Sequence, residues 1–201
     1  GMESHMNTNL TFSLDAHQKM LKNIKGLMLG RVIILTLLLT ITFVFQVSEK
    51  KFFFIPMTNK FYYFISLFYL VTILYALLLK KVKDLNRYAF LQIIVDQLFI
   101  TALIYFTGGI ESIFSWVYLL SIFSASTILY RKGGLVVASA SSIQYGTLLV
   151  LEFYQVILPL GSRIPPPLAF RGNYVFYLVA MNMMAFYLVA ILSAYLSEQV
   201  R

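Results

Sequence analysis

Six apolar runs, each close to the length of a bilayer crossing, leave this chain few ways to fold. They cover residues 27–47, 61–79, 88–106, 113–130, 134–158 and 174–196. A helix needs about 20 apolar residues to cross ~30 Å of hydrocarbon. The expected fold is therefore all-α: a polytopic membrane protein built as a bundle of six transmembrane helices. The fourth run is the shortest and carries several serines. Composition points the same way, with 60% hydrophobic and 12% charged residues, against about 45–50% and about 25% in ordinary soluble domains. The 18 Phe and 14 Tyr suit lipid contact and interfacial anchoring.

Orientation follows from the basic residues, which concentrate in cytoplasmic loops. With the N-terminus inside, the inner segments hold Lys19, Lys22, Lys25, Arg31, Lys80, Lys81, Lys83, Arg87, Arg131, Lys132 and Arg201, a total of 11. The outer segments hold Lys50, Lys51, Lys60, Arg163 and Arg171, a total of 5. Both termini are thus expected in the cytoplasm, and the net charge of +8 is mostly a topology signal. Charges confined to short loops between spans do not form a nucleic-acid surface.

The domain plan follows. Residues 1–6 read as an expression-tag remnant with Met6 as the native start, and 7–26 as a cytoplasmic N-terminal segment. Residues 27–196 are the membrane bundle, and 197–201 open a cytoplasmic helix cut short at Arg201. The basic amphipathic stretch 14–25 either lies on the inner leaflet or is disordered. Two outer loops are longer than the rest, 48–60 and 159–173, the second stiffened by Pro165, Pro166 and Pro167. Neither is long enough for an external ligand domain.

The candidate signalling or ligand residues are Asp96, Gln92, Glu152 and Gln144. Asp96 lies near the middle of the third run, with Gln92 four positions earlier on the same helix face. A carboxylate in lipid is expensive and faces the bundle interior with a partner. It reads either as a ligand contact, protonation switch or hinge, or as a fastener between two helices. Gln97 points elsewhere, to a different neighbour. Glu152, in the outer third of the fifth run, either snorkels outward or pairs with Arg163 or Arg171. Gln144 lies eight positions before it on a similar face. Gly134, Ala138, Ser142 and Gly146 recur every fourth residue and make a small face that admits close helix packing. Ser121 and Ala125 offer the fourth run as its counterpart. Thr107, Gly108 and Gly109 form an outer turn, and Arg131-Lys132-Gly133-Gly134 a matching inner one.

No catalytic residue is assigned. The sequence has no G-x-S-x-G, no H-E-x-x-H and no Walker loop. It has no Cys, and His5 and His17 both precede the first run. The cysteine pattern is thus silent on disulfides, Cys-ligated zinc and thiol chemistry, and a buried histidine-based metal or acid/base site inside the bundle is excluded.

Several stretches resemble bacterial sensor histidine kinases of the PilS type, which control type IV pilin expression. They are Leu27-Met28-Leu29-Gly30-Arg31-Val32; Asp96-Gln97-Leu98 leading to Tyr105-Phe106-Thr107-Gly108-Gly109; and Glu111-Ser112-Ile113-Phe114 through Leu129-Tyr130-Arg131-Lys132-Gly133-Gly134-Leu135. The resemblance covers about 27–201. It implies a six-span input domain of a two-component sensor kinase in the bacterial inner membrane, acting as a homodimer. Its last span would continue into a PAS domain and the kinase domains. ATP, Mg and a response regulator would belong to those missing parts, and no cofactor to this fragment. The implied contacts are the lipid bilayer and a membrane-embedded protein or hydrophobic ligand. The alternative is the substrate-binding integral membrane subunit of a vitamin-type importer, with an outer polar cavity near Glu152 and Tyr145. Sequencing the source gene past the codon for Arg201 separates the two: a continuing kinase frame supports the first, and a prompt stop codon favours the second.

Overall fold

The computed structural model describes residues 2–48, 58–106, 109–154, 156–157 and 172–200. These form six α-helices and no strand among the described residues: α1 Met2–Ser48, α2 Thr58–Leu78, α3 Leu85–Phe106, α4 Val117–Ile128, α5 Tyr130–Phe153 and α6 Gly172–Gln199. A 3-10 turn, Leu79–Lys81, extends α2, and two more, Gly109–Glu111 and Ile113–Trp116, lead into α4. Among the described residues four segments are long and apolar enough to cross a membrane: Tyr62–Lys81, Leu85–Phe106, Tyr130–Phe153 and Gly172–Gln199. The protein is an all-helical polytopic membrane bundle.

Side-chain contacts give the helix directions. At one end Ile24 and Met28 of α1 cluster with Tyr75, Leu79, Leu85, Tyr88 and Ile128. Toward the other, Leu38 packs on Ile65 and Leu103. Thus α1 and α3 run together while α2 and α4 run against them. The pairing of Ile110 with Glu152 sets α5 along α3, and the bond from Ser126 to Ala190 sets α6 against α5. The chain therefore passes up and down in alternation. The start of α1 and the finish of α6 lie at the same end, beside Lys80, Lys81 and Arg131.

Lipid tails are as apolar as Leu, so close packing and interhelical hydrogen bonds hold such a bundle together. α4, α5 and α6 form its densest part. There Tyr118, Tyr145 and Phe186 meet edge to face, with centroids 5.3–6.3 Å apart. Such aromatic pairs prefer this geometry because the ring edge is positive and the face negative. The twelve residues of α4 cover only ~18 Å at 1.5 Å each. Its 3-10 lead-in adds ~8 Å, and Val117, Tyr118, Ile122 and Ala125 are wholly or almost wholly buried.

Two sequence expectations change. The run Arg131-Lys132-Gly133-Gly134 is not a turn but the first turn of α5. Reversal takes place at Leu129 and Tyr130, where Tyr130 adopts φ 67. The glycines serve close approach instead: a Cβ on Gly134 would lie 2.1 Å from Ser126 Oγ, and one on Gly133 would lie 2.3 Å from Leu129 Cβ. The stretch 14–25 is neither disordered nor a separate surface helix. It is part of α1, 47 residues unbroken, ~70 Å long, with no proline to end it.

Gly134→Val should force α4 from α5, since Ser126 can yield only by giving up its bond to the Ala190 carbonyl. A loss of about 1–3 kcal/mol is expected from such overpacking, visible as a lower Tm in detergent. Gly146→Ala is the control: its Cβ would meet Val179 at an ordinary 3.7 Å and should leave Tm nearly unchanged.

Candidate functional site

Helix α3 presents polar side chains on two faces. Gln92 and Asp96, one turn apart, face α1. Gln97 and Thr101, again one turn apart, face α4 and α5. This division follows from the four-residue spacing that stacks side chains on a helix.

On the first face, Arg31 of α1 donates from Nη2 to Asp96 Oδ2 at 2.5 Å and lies 3.4 Å from Gln92 Oε1. The Arg31 and Asp96 side chains are 4% and 13% exposed. The Arg31 guanidinium also stands 5.8 Å from the Phe68 ring centre and 5.4 Å from that of Tyr75. Cation–π attraction of this kind strengthens where the cation is desolvated. Tyr88 braces the site from below by donating its hydroxyl to the Tyr75 carbonyl. Four polar atoms of the trio lack a hydrogen-bond partner among the described residues: Arg31 Nε and Nη1, Gln92 Nε2 and Asp96 Oδ1.

Arg31 was the residue that sequence reasoning misplaced. The charge count places it with the inner segments, yet it sits at the level of mid-α3, where it meets Asp96, and removing it leaves 10 inner charges against 5 outer. The signal was present, because Arg31 falls inside the apolar run 27–47. An arginine there needs an intramembrane counter-charge, and Asp96 was waiting for one.

On the second face, Gln97 donates from Nε2 to the Val137 carbonyl at 2.9 Å and to Ser141 Oγ. Thr101 Oγ1 lies 2.5 Å from the Tyr118 hydroxyl and 2.8 Å from Gln144 Oε1. Gln144 thus joins α5 to α3. The Glu152 carboxylate instead accepts the Ile110 backbone N–H at 3.2 Å. It packs so tightly on Gly109, which adopts φ +61, that a Cβ there would lie 1.7 Å from Oε2. Glu152 is buried against this turn and does not reach outward. Thr107, Gly108, Arg163 and Arg171 lie outside the described residues.

The small face of α5 meets two neighbours: Gly134 abuts Ser126 of α4, and Gly146 faces Val179 of α6, which an added Cβ would meet at 3.7 Å. Ala138 is fully buried, and Ser142 turns its hydroxyl back to the Ala138 carbonyl. Among the described residues no group of three or more His, Asp or Glu could hold a metal ion. The structure thus divides the candidate residues into an Arg31–Gln92–Asp96 trio, a Gln144 network and a Glu152 turn.

A family model described as a PilS-like transmembrane domain matches residues 14–201. No curated protein and no solved structure matches the chain.

Removing one partner of a buried ion pair strands the other and costs about 3–5 kcal/mol, whereas replacing both with apolar groups is often neutral. Arg31→Met and Asp96→Leu should each lower thermal stability in detergent, and the double variant should recover most of the loss. Additive losses in the double variant would show that the two residues do not act as a pair.

Proposed function

Because this chain belongs to the PilS-like transmembrane domain family, we propose that it is the signal-input domain of a two-component sensor histidine kinase in the bacterial cytoplasmic membrane. Family membership supports a membrane sensor role. The observation that carries the finer reading is the Arg31–Asp96 pair, which ties α1 to α3 by a charged contact. The α1–α2 pair packs far less extensively on the rest than α4, α5 and α6 pack on one another. A loosely packed seam closed by one strong polar contact is suited to having two arrangements.

The signal would shift the population between those packings, which requires that it bind one of them better. Output would leave through α6. Its last buried residues are Ser193 and Ala194, after which the helix is exposed to Gln199 except at half-buried Ser197. It emerges at the end that carries Lys80, Lys81, Arg131 and Lys132, the end that charge bias assigns to the cytoplasm. In a homodimer two such helices would pass the change to kinase domains, where ATP, Mg and the response regulator act. No observation favours the importer reading: Tyr145 is packed in the aromatic triad and Glu152 against the Gly109 turn.

Asp96→Asn keeps the side-chain shape but removes the charge that holds Arg31. In the full-length protein in vesicles it should change phosphoryl transfer to the response regulator by about fivefold or more, the lower range of allosteric couplings. Unchanged transfer at normal expression would sink the proposal that this pair is the switch.

A further inference from the structure

An elongated apolar cleft opens sideways between α1 and α4, floored by α2 and α3. It has a volume of about 210 Å³. Its walls run from Gly26 to Leu38 of α1, ~18 Å at 1.5 Å per residue, and its rim carries the exposed side chains of Leu120 and Phe123. In a bilayer that opening faces lipid. Three residues of the wall, one from each of α1, α3 and α4, hold buried polar atoms without a hydrogen-bond partner among the described residues: Arg31 Nε and Nη1, Asp96 Oδ1 and Ser121 Oγ. Gly26 and Gly30 line the same cleft, and a Cβ on either would meet nothing within 4 Å. Unlike Gly134, these glycines permit no close helix contact; they keep space open.

We propose that this cleft binds a single-chain amphiphile whose compact, uncharged head both donates and accepts hydrogen bonds: a long-chain carboxylic acid in its neutral form, or a long-chain alcohol. This deepens the sensor reading and rests on it, since the head would sit on the Arg31–Asp96 pair. A cleft of about 210 Å³ along a wall ~18 Å long has room for a slender alkyl chain and not for a helix 10–12 Å across. Depth excludes a phospholipid head. Asp96 lies near the middle of α3, and a phosphate anchored at the interface does not reach it. Charge selects a neutral head, because Arg31 and Asp96 already offset each other and an added anion would be left unbalanced. The orphaned atoms match such a head. Arg31 N–H groups donate to its oxygen, Asp96 Oδ1 accepts its O–H, and Ser121 can do either. The chain then lies along the wall formed by Leu38, Ile65 and Leu103.

The test uses this chain in phospholipid nanodiscs doped with a long-chain carboxylic acid bearing a mid-chain diazirine, and in parallel with the corresponding alcohol. Photolabel should concentrate on residues 26–38 and 117–124. Excess unlabelled acid or alcohol should compete for it, and diacyl phospholipid should not. Labelling by one probe alone identifies the head. Gly30→Leu, whose Cβ would meet nothing within 4 Å, projects into the cleft and should cut labelling about tenfold, and Ser121→Ala should cut it about threefold or more. Label spread evenly over lipid-facing positions such as Leu67 and Leu188, or competition by diacyl phospholipid as strong as by the unlabelled acid or alcohol, would overturn the proposal and leave the cleft to water or bulk lipid. The readout involves no kinase. Clean labelling beside an inert Asp96→Asn would refute only the switch, and a responsive Asp96→Asn without labelling would refute only the ligand.

Discussion

Hydrocarbon supplies neither hydrogen-bond partners nor a hydrophobic force between helices, and the rest of this structure follows from that. Each helix satisfies its own backbone. Cohesion then has to come from surfaces that fit closely and from polar side chains that find one another. The contact between α4 and α5 shows the first: two glycines and a serine bring the backbones together where any larger residue would collide. The Gln97 bonds to Val137 and Ser141 show the second. Few polar residues enter the bundle, and those that do define which helices are neighbours.

Helix α3 is the hub because its two polar faces bind two different partners. Toward α5 and α4 it offers Gln97 and Thr101, whose uncharged bonds lock onto a densely packed trio. Toward α1 it offers Asp96 and Gln92, which meet a single arginine. These two joints differ in kind. The first is a neutral network surrounded by tight packing. The second is an ion pair beside a cleft, with polar atoms still unpaired. A buried charge pair is a poor source of net stability but an effective two-state contact, since losing it strands both partners. The first joint lies in the densely packed half of the bundle, and the second closes the seam at which the proposed switch would act.

The outer end adds a different device. Glu152 is a charged residue spent on geometry: its carboxylate takes the Ile110 N–H, and glycine is needed at position 109 both for the positive φ and for the room that the carboxylate occupies. The two residues are 43 positions apart. This pairing fixes the entry to α4, whose short length leaves little margin for its placement.

Run lengths were enough to establish an all-helical membrane bundle and its six helices, because lipid leaves a long apolar segment hardly any alternative to a helix, while the family resemblance rested on particular stretches such as Leu129-Tyr130-Arg131-Lys132-Gly133-Gly134-Leu135. The cost of a charge in lipid likewise singled out Asp96. Sequence alone did not say what Asp96 would meet. Arg31 was hidden among basic residues near a span boundary, and only the register of α1 against α3 lifts it to the level of Asp96. Nor could the sequence tell the glycines apart. Gly134 serves close contact, Gly109 a positive φ, and Gly30 an open space, distinctions that depend on which atoms stand opposite. Periodicity reports what a helix does with its own length; partners, register and cavities belong to the packing of one helix on another.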